Sequence, residues 1–360
     1  MRALLATAGL LVLAGSALAG RPTSHTLRKS AAGPIEAVAQ DSDVAAWLTW
    51  SKSGPCNSVH ILSPGKKDRI VPLPAADSMT CQWDLGNGQS QLAVASGTST
   101  ALWTLHETTS STFDQVLAAS FGGPERKLAR LAHANNGVGD WLGGVAGAGK
   151  TLAYSWVDVE YVDPEGCLSG GSCKQKIADG GIRLVTRTSV TALPGAKPAL
   201  QLAVAAGRIA YIPAVATKAG RPSANTDSSV YIVDAASGDQ LGQVFVHGIP
   251  IAIALSPHVL AVLTTMAGPH DRISWYSAAD GTKLGSDVIS ALAAPLLAAS
   301  DRLIVFRVGN MLREILTRTG HLGKLVATAK TSLGLSLAGD RLLWAENHNG
   351  AGRLRALAVG

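Results

Sequence analysis

Residues 144 to 151 read GVAGAGKT, a letter-for-letter match to G-x-x-x-x-G-K-[ST], the loop in which backbone amides and a lysine cradle nucleotide phosphates. That chemistry needs a strand running into a helix whose N-terminal amides meet the anion. Lys150-Thr151 run instead into LAYSWVDVEYV, rich in β-branched and aromatic residues and followed by Asp163-Pro164. A second strand is therefore expected here, and nucleotide chemistry is not.

The same stretch carries Asp158, Glu160, Asp163 and Glu165, four carboxylates within eight residues. Such oxygen donors suit calcium, and Asp163 and Glu165 could share a loop. Asp158 and Glu160, however, alternate along the expected strand and no EF-hand spacing is present, so a solvated acidic hairpin is the favoured reading and no metal is assigned. The nine histidines form no H-x-H or H-E-x-x-H pair and are expected at surfaces and turns. No G-x-S-x-G elbow points to a serine nucleophile.

Four cysteines remain. Cys167 and Cys173 flank LSGGS, and Cys56 and Cys81 stand 25 residues apart. Pairing Cys56 with Cys81 and Cys167 with Cys173 is the economical choice among three connectivities, with loop-entropy contributions of about 3.5 and about 2.4 kcal/mol. Zinc is disfavoured, because neither pair has C-x-x-C spacing. Trp83 lies beside Cys81 and could be a recognition residue or a cap over a sheet edge.

These residues must be positioned by a repeat. LGLSLAGDRLLWAENHNGAGRLRALAV, residues 333 to 359, has a run of small and aliphatic residues, a turn at Gly339-Asp340, an apolar run with an aromatic, a polar loop and another alternating run. That order predicts three short strands. The first two recur at 35 to 50, 91 to 105, 141 to 157, 199 to 215, 251 to 265 and 295 to 308, and GVAGAGKT is one occurrence of the repeated turn.

Aligned on that turn, one position reads Trp47, Trp103, Tyr154, Tyr211, Val262, Val305 and Trp344, spaced 39 to 57 residues apart. The residue six places earlier reads Asp41, Gly97, Ala148, Ala205, Ser256, Ala299 and Ala338, small throughout. A second hairpin follows each unit, clearest in SVYIVDAASGDQLGQVFV (229 to 246) and RISWYSAADGTKLGSDVI (272 to 289), with looser versions at 58 to 73, 113 to 131, 182 to 194 and 313 to 329. The last unit has only three strands before Gly360. HTLRKSAA, from His25, resembles the fourth strands elsewhere, so the N-terminal segment is expected to complete the final sheet and close a ring.

Seven units of four antiparallel strands resemble an all-β, seven-bladed β-propeller over residues 20 to 360. VYIVDAASGDQLG is similar to blades of the pyrroloquinoline-quinone-type and YVTN-type repeats, and the turns are similar to those of TolB-like and WD-repeat proteins; the motifs are specific for architecture and not for subfamily. Neighbouring blades of such a ring bury each other's apolar faces, so no blade is expected to be stable alone. The resemblance implies a function at the loops of one face or at the channel mouth. The longest interruptions, 75 to 89, 158 to 180 and 217 to 228, are the candidate recognition elements, with Trp83, Asp158, Glu160, Asp163 and Glu165 as candidate residues.

MRALLATAGLLVLAGSALAG reads as a secretory signal peptide over residues 1 to 19, cut before Gly20. The chain's formal net charge of +6 is spread along its length without a basic cluster interleaved with aromatics, which argues against nucleic-acid binding. No later stretch of 18 apolar residues follows. The expectation is a secreted or periplasmic, monomeric, non-catalytic propeller that binds a protein or envelope component and carries no cofactor. The alternative is an extracytoplasmic lactonase, lyase or oxidoreductase with a metal or cofactor at the channel mouth.

Overall fold

The computed structural model describes residues 24–30, 33–50, 57–71, 90–108, 112–134, 136–165, 173–217, 221–290, 296–328 and 332–359. Its strands fall into repeating antiparallel units. Blade 1 comprises β2 (Ile35–Asp41), β3 (Val44–Trp50), β4 (Asn57–Leu62) and β5 (Arg69–Val71). Blade 2 comprises β6 (Leu92–Ala95), β7 (Thr100–Thr108), β8 (Thr112–Ser120) and β9 (Arg126–His133); blade 3 comprises β10 (Gly139–Ala148), β11 (Thr151–Tyr161), β12 (Gln175–Val185) and β13 (Val190–Ala192). Blade 4 comprises β14 (Ala199–Ala205), β15 (Arg208–Pro213), β16 (Ser229–Asp234) and β17 (Gln240–Phe245). Blade 5 comprises β18 (Ile249–Leu255), β19 (Val259–Thr265), β20 (His270–Ser277) and β21 (Lys283–Ser290). Blade 6 comprises β22 (Leu297–Ala299), β23 (Leu303–Val308), β24 (Met311–Leu316) and β25 (Leu322–Ala327). The last unit joins β26 (Ser332–Ala338), β27 (Arg341–His348) and β28 (Ala351–Ala358) to β1 (His25–Ser30).

The first strands, β2, β6, β10, β14, β18, β22 and β26, together line one central channel of about 590 Å3. This is the expected propeller, with the expected closure: β1 pairs antiparallel with β28, placing Thr26 opposite Arg355. Arg355 reinforces the seam by donating to the hydroxyls of Thr26 and Ser24, each at 2.6 Å.

The aromatic column of the sequence forms the packing between blades. Trp47, Trp103, Tyr154, Tyr211, Val262, Val305 and Trp344 all lie on second strands and are all buried. Trp103 packs among residues of blades 1 and 2, and Tyr211 among residues of blades 3 and 4. The small-residue column has a different cause. Six of its members, Gly97 being the exception, sit where the first strands end and line the channel. Gly97 belongs to a one-turn helix at Ser96–Thr98, where a side chain would meet the carbonyl of Gly149.

Two features depart from the sequence pattern. Blades 2 and 3 are not separate sheets: they form one eight-stranded sheet joined by the single pair His133 and Gly139. Gly139 has φ +115°, and a Cβ there would collide with the carbonyl of Ala132, so this approach of β9 to β10 needs glycine. The 158 to 180 interruption is also shorter than expected. Strand continues to Tyr161 and resumes at Gln175, leaving 162 to 174 as the connection.

GVAGAGKT is a hairpin, as its flanks predicted. β10 ends at Ala148, Gly149 takes φ +59° in the turn, and β11 starts at Thr151.

Candidate functional site

Alternation of strand direction sorts the connections onto two faces. Turns between first and second strands and between third and fourth strands are short and lie on one face. Connections between second and third strands, and between successive blades, emerge at the other. Two of the three candidate recognition elements belong to this second, loop-bearing face: 162 to 174 links β11 to β12 and 214 to 228 links β15 to β16; the third, 75 to 89, lies outside the described residues. Trp83, Cys56, Cys81 and Cys167 lie outside the described residues. Cys173 is described, and there is no free cysteine among the described residues.

The short-turn face holds the channel mouth with the carboxylates Asp41 and Asp301. Both are taken up by bonds between blades. Asp41 Oδ2 accepts the N–H and hydroxyl of Ser96 in blade 2 at 2.7 and 2.6 Å, and the N–H of Gly149 in blade 3 at 2.7 Å. Asp301 of blade 6 accepts the hydroxyl of Ser256 at 2.7 Å and the N–H of His258 at 2.9 Å, both from blade 5, and its other oxygen lies 2.8 Å from His258 Nδ1. Burial works to raise the pKa of Asp301, but the hydrogen bonds from His258 and Ser256 outweigh it and hold the carboxyl below its ordinary range. Gln40 closes the ring seam, donating to the carbonyls of Ser336 and Arg341 at 2.6 and 2.7 Å while accepting from Arg341 Nε at 2.9 Å. The rest of the wall is Ala, Gly, Ser, Pro and aliphatic side chains.

Towards the loop-bearing face, the acidic stretch acquires partners that lie far off in sequence. Asp158 on β11 stands opposite Asp140 on β10 and Asp179 on β12, so three carboxylates form a row across three strands. Burial raises the pKa of Asp140, and the charges of Asp158 and Asp179 add to it. Burial also raises that of Asp158, followed by repulsion from Glu160 and Asp179. Glu160 is exposed and lies 3.5 Å from Lys176 Nζ across the hairpin. Asp163 and Glu165 follow β11 as exposed residues. No group of three or more His, Cys, Asp or Glu among the described residues is arranged to hold a metal ion.

Next to this row lies a cluster that sequence reasoning missed. His133, expected at a surface or turn, is buried at 6% exposure on β9 and stacks on Trp141 with ring centroids 3.4 Å apart. Trp141 Nε1 donates to the carbonyl of Gly137 at 2.9 Å, and Gln175 Nε2 donates to that of Asn136 at 2.7 Å. Together they pin the connection between blades 2 and 3. Burial lowers the pKa of His133; Asp114 opposes this, while His106 and Arg221 add to it. Arg221 belongs to the β15–β16 connection, so three successive blades meet here. Trp141's place outside the aromatic column was the available signal.

No family model and no curated protein sequence matches the chain. Solved structures do. The chain is similar to a component of a crystal structure of the mitotic checkpoint complex, at 14% identity, covering 99% of each chain with a TM-score of 0.50. It is also similar to the β-propeller domain of Cps50 (Swd1) from Myceliophteria thermophila, at 10% identity, covering 94% of this chain and 99% of that one with a TM-score of 0.50. At these identities the likeness shows the fold.

Proposed function

We propose that this protein is an exported recognition scaffold that binds a protein or cell-envelope component through its loop-bearing face, without catalysing a reaction. The observation that carries this is the division of labour between the faces. At the channel mouth, Asp41 and Asp301 each accept hydrogen bonds from neighbouring blades, which gives both a part in holding the ring together. The opposite face carries the long connections, with an acidic row beneath them and the stack of buried His133 on half-buried Trp141 bracing them. A rigid ring with variable loops suits recognition.

In this reading residues 1 to 19 direct export and are removed, Cys167 bonds Cys173 to stiffen the β11–β12 connection, and Cys56 bonds Cys81. Trp83, Asp158, Glu160, Asp163 and Glu165 contribute to the binding surface. The protein works as a monomer. No helix among the described residues is long and apolar enough to cross a membrane, in keeping with a mature form that acts beyond it.

The test is in-cell crosslinking of the tagged mature protein in its native envelope, with mass spectrometry of what is retained. A reproducible partner should be lost when 162 to 174 is replaced by a two-residue turn in a protein that still melts cooperatively. Retention of that partner by both this variant and Trp83→Ala would remove these loops from the proposal. Turnover of a small substrate, abolished by Asp301→Asn, would replace the proposal with the enzyme alternative.

A further inference from the structure

On the outer wall of the ring, a cleft of about 260 Å3 opens between blades 4 and 5. Val244 and Val246 face it from blade 4, and Ser274 and Tyr276 from blade 5, with the cations Arg272 and Lys283. Register places Arg272 opposite Val288 and Tyr276 opposite Lys283 on the same face of blade 5, with the pair of Ser274 and Ser286 between them. At the rim, Phe245 is 57% exposed, whereas Val244, Val246 and Tyr276 are buried where the two blades pack.

Three observations define what fits. No carboxylate lines the cleft, and the side chains of Arg272 and Lys283 make no ion pair or hydrogen bond with any described residue, so two cations face the opening uncompensated. The cleft is shut at one end, where a Cβ on Gly242 would lie 3.1 Å from the backbone of Asp280; a ligand must enter from the rim and the loop-bearing face. Its wall on the blade 4 side ends in β17, the outermost strand of its sheet, whose free edge can pair with an added strand. At 260 Å3 the cleft falls below the size typical of a drug-sized ligand and suits one or two side chains of a longer chain.

We propose that this cleft receives an extended segment of a partner protein in which an Asp or Glu lies between aliphatic residues. The carboxylate meets Arg272 and Lys283, the aliphatic side chains rest against Phe245 at the rim, and the segment's backbone runs along β17. The surface is separate from the loop-bearing connections, and the proposal does not rest on their role.

The probe is a fluorescein-labelled, C-terminally amidated hexapeptide of alternating leucine and aspartate, titrated against the mature protein by fluorescence polarisation. The control is its leucine–asparagine counterpart. Saturable binding of the aspartate peptide is expected below about 1 mM, with binding of the asparagine peptide at least about tenfold weaker. Arg272→Gln with Lys283→Gln should weaken the aspartate peptide about tenfold while leaving the melting curve unchanged, and replacing 162 to 174 should leave its binding intact. If charge removal unfolds the protein, Phe245→Ala, at an exposed position of the rim, gives an independent reading through the apolar contact and should also weaken binding. Absence of saturation, equal binding of the two peptides, or binding indifferent to both sets of variants overturns the proposal.

Discussion

The carboxylate of Asp41 accepts the backbone N–H of Gly149, 108 residues away, at 2.7 Å. Gly149 is the glycine before the lysine of GVAGAGKT, the sequence that reads as a phosphate-binding loop. Its amide does bind an anion, and the anion is supplied by the protein's own first blade. Because Ser96 donates to the same oxygen, one side chain ties three blades together at the channel mouth.

Asp41→Ala should therefore destabilise the ring by about 2 to 3 kcal/mol, since it leaves the donors of Ser96 and Gly149 without their charged acceptor. Asp41→Asn keeps an acceptor and should cost less, about 1 kcal/mol. Urea denaturation followed by tryptophan fluorescence measures both, and a change under about 0.5 kcal/mol for the alanine variant would contradict the stapling role.

Lys150 is exposed in the turn, so Lys150→Ala should change stability by no more than about 0.5 kcal/mol. Magnesium ATP should not raise the melting temperature of the wild-type protein. A saturable rise, lost in Lys150→Ala, would reinstate nucleotide binding.

Removal of β1 should be costly. It strips the cover from β28, exposes a full strand edge and takes away Leu27, which packs against the cluster of the first and last blades. Burial of one leucine and the lost ladder together amount to about 3 kcal/mol. A chain starting at Gly33 should melt lower than one starting at Ser24 and self-associate through the free edge, as read by calorimetry and light scattering.

Asp158 has a folded-state pKa raised above its unfolded value, so its contribution favours the fold in acid and is lost as pH rises through the folded pKa. At neutral pH the row of carboxylates is a net cost. Asp158→Asn should stabilise the protein at pH 7 by about 0.5 kcal/mol, with the gain vanishing below the ordinary carboxylate range. Melting temperatures between pH 3 and pH 8 test this, and a gain independent of pH would exclude the electrostatic cause.

His133 has the opposite dependence. Its folded pKa is depressed, chiefly by burial, so its contribution is intact above the unfolded imidazole value and declines as pH falls towards the folded value. Stability should drop as pH falls below about 6.5, and His133→Phe should flatten that slope. NMR titration of the imidazole provides a direct check: a pKa at or above the usual value would refute the buried neutral state.

Much of the fold is visible in the sequence because a repeat samples the same physical demand seven times. Trp47, Trp103 and Trp344 occupy one packing position, and most of the small residues ahead of the column line one channel, so each column reads clearly even though each copy is weak. The joining of blades 2 and 3 depends on one glycine pair and has no repeat to betray it. The candidate site is less legible for the same reason. Asp158 and Glu160 stand out as neighbours, whereas Asp140 and Asp179 join them through strand register across separate hairpins. A histidine buried against Trp141 looks in the sequence like any other histidine.

Ring closure by β1 also sets the order of assembly. Thr26 finds its partner in Arg355, 329 residues later, so the earliest strand of the blades to be synthesised is the one whose place is created last. Contacts of such separation are slow to form. Until the final unit exists the leading segment has no partner, and until the two pair the edge of β28 stays open to mispairing, so the last intermediate before closure is an almost complete ring with a single gap.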